Sequence, residues 1–324
     1  MQLDTGDARV AAASRDEAAF LHALRLRAAE ALERAYGFLE GAGDAWARLR
    51  ARVLCGASPP AELVDRIVAA QEPDGRVGLG TLVAGGAPGF PAIDLARLGD
   101  DARAILGTLE AFLVAADAGV LHGAWVESAA RALEARQALD GAFRVRSGAE
   151  TSSGSSAVGE DDASSDVFFT GMVAGMLGRT PFSRPATLER AGAFLAERFS
   201  PDAVENGYSA LLAYSLFFTN AGHERADEAL QWCGRALEKG FRSRRNDALV
   251  TLRVLLSCDA QAMPGASFDV VELLERLLEE QARDGGFAEL ALGGPAARTT
   301  QTFDAMLAIV RLCAALGVAE AKPV

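Results

Sequence analysis

Three segments of this chain share one pattern: Gln71-Glu72-Pro73-Asp74-Gly75-Arg76-Val77, Gln137-Ala138-Leu139-Asp140-Gly141-Ala142-Phe143 and Gln281-Ala282-Arg283-Asp284-Gly285-Gly286-Phe287. A degenerate fourth copy reads Arg235-Ala236-Leu237-Glu238-Lys239-Gly240-Phe241. Each follows an amphipathic, Leu/Ala-rich stretch, and a second, more apolar stretch begins a short way on. The unit is therefore helix, stop, loop, helix, and a unit that recurs along the chain sets the architecture. Asp-Gly suits a helix stop because glycine takes positive φ without steric cost. The Gln amide can satisfy backbone groups freed at the helix end or in the next repeat. Phe143, Phe241 and Phe287 are expected to plug the gap between neighbouring helices.

Ala, Leu, Glu and Arg dominate the 324 residues, half of the chain is hydrophobic, and proline occurs only 11 times. That composition favours helices throughout. Apolar spacing predicts twelve of them. They run over Asp16–Glu40, Trp46–Leu54, a third opening at Pro59-Pro60 with Leu63, Ile67 and Val68 inward, Asp94–Ala118, Trp125–Ala138 and Phe168–Leu177. The series continues with Pro185–Phe199, Glu205–Phe218, Ala226–Lys239, Asp247–Ser257, Val270–Gln281 and Thr302–Leu316. The first helix of a pair carries a charged face, as with Glu272, Glu275, Arg276 and Glu279. The second carries little charge, and Tyr208 to Phe218 carries none. Charged faces belong outside, and a helix apolar all round is buried or lines an apolar cavity. The expectation is an all-α fold, an α/α toroid of six outer and six inner helices closed as a barrel. One domain spans 16–316, between a flexible segment at 1–15 and a tail at 317–324.

A net charge of −12 opposes a nucleic-acid partner. The four cysteines, Cys55, Cys233, Cys258 and Cys313, form no Cys-x-x-Cys pair and read as reduced core residues. The polar, acidic start lacks a signal-peptide pattern, and no uncharged span reaches the ~20 residues a bilayer requires. A cytoplasmic protein is expected, with a homodimer or peripheral membrane contact left open. The Gly-rich stretch 75–90 lacks the Gly-Lys-Ser/Thr of a phosphate loop and reads as a rim loop. Residues 146–162 read as a second loop.

The Gln-x-x-Asp-Gly-x-Phe repeat between outer and inner helices resembles the terpenoid cyclase and protein prenyltransferase β-subunit superfamily. Many members carry a Gln-x-x-x-Gly-x-Trp form, and Phe or Val replaces Trp here. The resemblance implies an α/α toroid and a central cavity for an isoprenoid. It also implies a general acid in an Asp-x-Asp-Asp-Thr-Ala motif opening an inner helix. The matching stretch here is Asp166-Val167-Phe168-Phe169-Thr170-Gly171. Asp166 keeps the first acid, while Phe168 and Phe169 stand in place of the others, against ordinary cyclisation by that route. The zinc ligands of the prenyltransferases find no match among His22, His122 and His223.

Polar residues near the starts of inner helices remain as candidates: Thr170, Ser209, Asp247 and Asp304, each followed by a small residue. Asp247 and Asp304 read either as helix caps or as cavity acids with raised pKa values. Asp166, Asp247 and Asp304 are the candidate catalytic acids. Phe168, Phe169, Thr170, Tyr208, Ser209 and Phe303 are candidates for binding an apolar substrate, and Arg244 and Arg245 for holding a diphosphate. Asp161 and Asp162, in the acidic run before Asp166, are the candidate Mg²⁺ ligands, against a cofactor-free alternative. These readings imply a cyclase-like enzyme, a lyase or isomerase, acting on an isoprenoid or other elongated apolar substrate. The chemistry would be acid/base or diphosphate-assisted. The alternative is a non-catalytic toroid that binds a lipid or a partner protein. Fold alone does not choose between them.

Overall fold

Four helix starts among the described residues are capped by short acidic or hydroxyl side chains. Asp44 Oδ1 accepts from the backbone N–H of Trp46 at 2.9 Å and Ala47 at 2.7 Å, and Ser200 accepts from Ala203 at 3.1 Å. Asp247 and Asp269 cap in the same way, from Val250 and Val271. The computed structural model describes residues 5–78, 99–145, 160–260, 263–288 and 294–320, with side chains from 18, 163 and 297 onward in the three helices that begin next to undescribed stretches and up to 317 in the last. The rim-loop reading from residue 79 onward and residues 146–159 of the loop expected at 146–162 lie outside the described residues; residues 160–162, expected as loop, are helical.

Among the described residues the chain is all-α, with thirteen helices and no strand. The helices are α1 (Thr5–Ala42), α2 (Ala45–Leu54), α3 (Ala61–Ala69), α4 (Asp100–Asp117), α5 (Ala124–Glu134), α6 (Glu160–Gly178) and α7 (Pro185–Arg198). After a short α8 (Pro201–Asn206) come α9 (Tyr208–Asn220), α10 (Ala226–Arg242), α11 (Ala248–Ser257), α12 (Val270–Glu279) and α13 (Gly294–Glu320). Several boundaries differ from the sequence expectation, with α6 starting at Glu160 rather than Phe168 and α13 at Gly294 rather than Thr302. Helix α1 starts at Thr5 rather than Asp16, and Val204 anchors α8 as an extra turn before α9.

Helices of two kinds alternate. In α1, α3, α5, α7, α10 and α12 one stripe is buried and the opposite face is solvated. In α4, α9 and α11 most side chains are buried, on all faces of the helix. A run of contacts joins them: α4 packs on α6, α6 on α9, α9 on α11, α11 on α13, and α13 on the partly buried α2. The closest approach is α6 on α9. A Cβ on Gly171, Gly175 or Gly178 would sit 2.6–2.7 Å from Ala213, Leu216 or Asn220, so the absence of side chains there lets the two backbones meet. Helix α1 packs on both α12 and α13, which brings the first and last helices together.

The repeated stop explains how successive pairs are held in register. Gly75, Gly141 and Gly285 have φ of 92°, 92° and 91°. A Cβ there would also strike the carbonyl oxygen of Ser128, Arg190 or Arg34 on a neighbouring helix, at 2.2–2.4 Å. Each Gln spends one amide on its own turn and on that same neighbour. Gln71 Nε2 donates to Gly75 O and Trp125 O at 2.8 and 2.9 Å. Gln137 donates to Gly141 O and Thr187 O at 3.0 and 2.9 Å. Gln281 donates to Gly285 O and Ala31 O at 2.9 and 2.8 Å. The first two bonds link α3 to α5 and α5 to α7, and the third links the segment after α12 back to α1.

The residue after the turn is tied to the following buried helix. Val77, Phe143 and Phe287, all fully buried, donate their backbone N–H to Thr108, Thr170 and Thr302 Oγ1 at 3.1, 2.9 and 3.0 Å. The degenerate copy is not a stop at all. Without Gln or Asp-Gly, its helix-forming residues carry α10 through Gly240 to Arg242, and Arg244 takes the left-handed position with φ 57°. Phe241 is still a plug, fully buried beneath the Arg276 guanidinium at 3.9 Å. Val68, expected inward, is exposed, as is Cys55; Cys233 and Cys258 are buried thiols.

Candidate functional site

The common Thr bond sets the register of the buried helices, and it corrects the alignment drawn from the sequence. Thr170 corresponds to Thr302 and Thr108, not to Asp304. Counting two residues on from the Thr gives Glu110 in α4, Met172 in α6 and Asp304 in α13. Polar residues two positions beyond the brace, and neighbours one to two turns away, converge on one buried network.

Arg50 of α2 donates from Nη2 to Asp117 Oδ2 of α4 at 3.1 Å. Arg253 of α11 donates from Nη1 to Asp304 Oδ1 of α13 at 3.0 Å. Arg253 Nη1 also lies 3.8 Å from Asp117 Oδ2, joining the two pairs. None of the four side chains is more than 9% exposed. The Arg50 guanidinium stacks over the Phe303 ring, 3.8 Å from its centroid. Two cations and two anions therefore lie together among apolar helices. Removing such charges from water costs several kcal/mol each unless their hydrogen bonds are complete.

They are not complete. Arg50 Nε, Asp304 Oδ2 and Glu110 Oε2 are buried and make no hydrogen bond among the described residues. Orphaned buried polar atoms are rare and mark a place for water or a ligand. Burial pushes the Glu110 carboxyl up to about 8, with the Arg50 charge opposing, so this acid is largely protonated at neutral pH and can donate. Burial also raises Asp304, against the pull of Arg253. Tyr208, whose hydroxyl donates to Val250 O at 3.0 Å, is raised by burial as well. Beside the network a cavity of about 180 Å³ is lined by Arg50, Asp117 and Phe303 together with Val53, Leu63 and Val114. An apolar body with a polar end fits that lining.

Of the residues singled out from sequence, Asp304, Phe303 and Tyr208 meet here. The others are employed elsewhere. Asp166 accepts from Arg144 Nε at 2.9 Å, and Arg144 also grips the motif Asp140 at 2.9 Å, so Asp166 braces the second stop. Asp247 is exposed and caps α11, the first of its two readings. Thr170 accepts from the motif backbone and is fully buried. Phe168 and Phe169 are fully buried and edge-to-face at 5.1 Å. Ser209 is half-buried on the first turn of α9, and Arg244 and Arg245 lie in the turn before α11, outside the network. The side chains of Asp161 and Asp162 lie outside the described residues. Among those described, no three His, Cys, Asp or Glu side chains gather as a metal-binding group.

Sequence reasoning missed Arg50, Glu110, Asp117 and Arg253. A signal was present: Glu110 and Arg253 are isolated charges inside otherwise apolar helical runs, Leu109-Glu110-Ala111-Phe112 and Leu252-Arg253-Val254-Leu255-Leu256. No protein-family model, curated protein or solved structure matches this chain. Among the described residues no helix is long and apolar enough to cross a membrane.

Proposed function

We propose that the chain closes into an α/α toroid of the terpenoid-cyclase type and binds a short molecule with an apolar body and a polar end at its centre. Closure is supported by Gln281, whose bond to the neighbouring helix goes to α1, and by the packing of α13 on α2. The observation that carries the ligand reading is the buried Arg50–Asp117–Arg253–Asp304 network, where Arg50 Nε, Asp304 Oδ2 and the nearby Glu110 Oε2 have no hydrogen-bond partner among the described residues, with a cavity of about 180 Å³ beside it. Drug-sized ligands occupy roughly 300–1,000 Å³, so a short prenyl alcohol fits better than a long isoprenoid. Fully buried Phe168, Phe169, Tyr214 and Phe217 fill interior space that a long substrate would need. A binding toroid is therefore favoured over a cyclase.

A specific observation supports a second reading. Burial favours the neutral form of Glu110, which can act as a general acid toward a leaving oxygen; the same raised pKa makes it a weaker donor to an alkene. Two measurements separate these readings. Native mass spectrometry and thermal shift with geraniol and with farnesol test binding; the expected result is saturable stabilisation by geraniol that Arg50→Met removes. Incubation with geranyl diphosphate, with and without Mg²⁺, followed by gas chromatography tests turnover. A product whose formation needs Glu110 would replace the binding reading with the enzymatic one, and silence in both experiments would sink both.

A further inference from the structure

We propose that the chain carries a second ligand site, for a medium-chain carboxylate, in the cavity between α11, α12 and α13. This cavity measures about 200 Å³, and its walls include Leu252, Leu256, Leu273, Ala308 and Leu312. Among the described residues no aromatic side chain lines it, so the walls suit a flexible alkyl chain rather than a ring. A cavity of roughly 150 Å³ admits benzene; this one holds a chain of about eight carbons by the same scale. The charged groups on its described lining are Asp259 and Arg311, which form an ion pair. Their side chains are 58% and 33% exposed, which places them at the solvent end.

The backbone at Asp259 gives a second, independent reason. Helices α2 and α4 stop at glycines in the left-handed region, Gly56 with φ 73° and Gly119 with φ 70°. Helix α11 stops in the same way, with Asp259 N bonded to Leu256 O and Ala260 N to Leu255 O, both at 3.0 Å. Here the left-handed residue is Asp259, with φ 53°. A side chain in that conformation costs on the order of 1 kcal/mol that glycine would avoid. What the carboxylate gains is two guanidinium groups. Arg311 pairs with it directly, and Arg179 Nη2 lies 3.7 Å away while Nη1 donates to Ser257 O at 3.1 Å. Arg311 and Arg179 thus share the one carboxylate of Asp259, and of the two Arg311 is the one on the cavity lining. Arg311 is already oriented to receive a carboxylate, so a ligand's own head group can take its remaining donors while the alkyl chain enters the cavity.

The site is tested with octanoate, octanol and acetate by isothermal titration calorimetry and thermal shift on the full chain. Octanoate is expected to bind saturably and raise Tm. Octanol should bind about tenfold more weakly, the equivalent of about 1.4 kcal/mol for a charge-assisted bond, and acetate should not bind measurably. Arg311→Gln should bring octanoate down to the octanol value. Ala315→Leu, at a half-buried lining position, should fill the space and abolish binding while circular dichroism and Tm show an intact fold. A photoreactive octanoate analogue should label peptides within 252–260 or 308–315. Octanoate that fails to bind, that binds Arg311→Gln as well as the parent, or that labels peptides from the central cavity instead overturns the proposal. Because the central cavity is also read as taking an apolar body with a polar end, the labelled peptides and the Ala315→Leu variant are what assign octanoate to this site.

Discussion

Glu110 and Asp304 occupy the same position in two repeats, yet their surroundings give them different work. Asp304 is held by Arg253, whereas Glu110 has no hydrogen bond at Oε2 among the described residues and feels Arg50 only through space. Its folded pKa of about 8 lies above the ordinary value of 4.5. A raised acid contributes stability that is fully present below pH ~4.5 and lost as pH rises through ~8. Glu110→Gln is therefore expected to stabilise the protein at pH 9 by about 2–4 kcal/mol and to leave it nearly unchanged at pH 4.5. Urea denaturation across that range checks the sign; a parent whose stability does not fall between pH 6 and 9 would contradict it. Arg253 sits at the opposite extreme. Arg253→Met leaves two buried carboxylates short of a partner and should cost about 3–5 kcal/mol. Because much of that cost is the stranded charge, adding Asp304→Leu should recover part of it, a non-additivity that a double-mutant cycle reads directly.

At the scale of the element, glycine serves this chain in two opposite ways. Gly141 stands at φ 92° with a backbone carbonyl of α7 where its Cβ would be, so Gly141→Ala combines strain with collision. It should cost at least about 2–3 kcal/mol, with a fall in Tm to match. Gly37 lies within α1, and beyond the adjoining turns of its own helix no described atom stands within 4 Å of where a methyl group would project. Gly37→Ala should instead stabilise by about 0.5–1 kcal/mol, read from the same melting curves. The same contrast explains what was legible in the sequence. The three intact stops are readable because each combines Gln, Asp and Gly at fixed spacing, and each folds as the same turn. The fourth resembles a stop because hydrophobic spacing survives in it, but the turn chemistry does not. Phe241 keeps its plug position, and the helix simply continues beneath it. The short α8 escapes notice because six residues are too few for a periodic signal.

For the whole molecule, the telling bond is Gln281 to Ala31, across 250 residues of chain. It repeats the geometry that Gln137 makes with the next helix only 50 residues on. If the ends close a ring, Gln281→Ala should lower stability about as much as Gln137→Ala, on the order of 1–2 kcal/mol each. Equilibrium unfolding of the two variants side by side checks this; an effect confined to Gln137 would mean that the last repeat does not share in holding the first. The interior charge network obeys the same logic. Its members come from α2, α4, α11 and α13, so it forms only once the first and last pairs have met.

Periodicity and turn chemistry in the sequence determined the helical class, the alternation of charged and apolar helices, and the stops that link one pair to the next, because these depend on residues close in the chain. Local spacing also placed Asp304, Phe303 and Tyr208 on apolar helices. Which polar side chains would face one another was decided by tertiary packing alone. Arg50 and Asp117 are 67 residues apart, and Arg253 and Asp304 are 51 apart, and nothing in either neighbourhood names the partner. A charge on an apolar helix is a cap, a brace or a site according to what the opposing helix presents, and that is a property of the assembled interior.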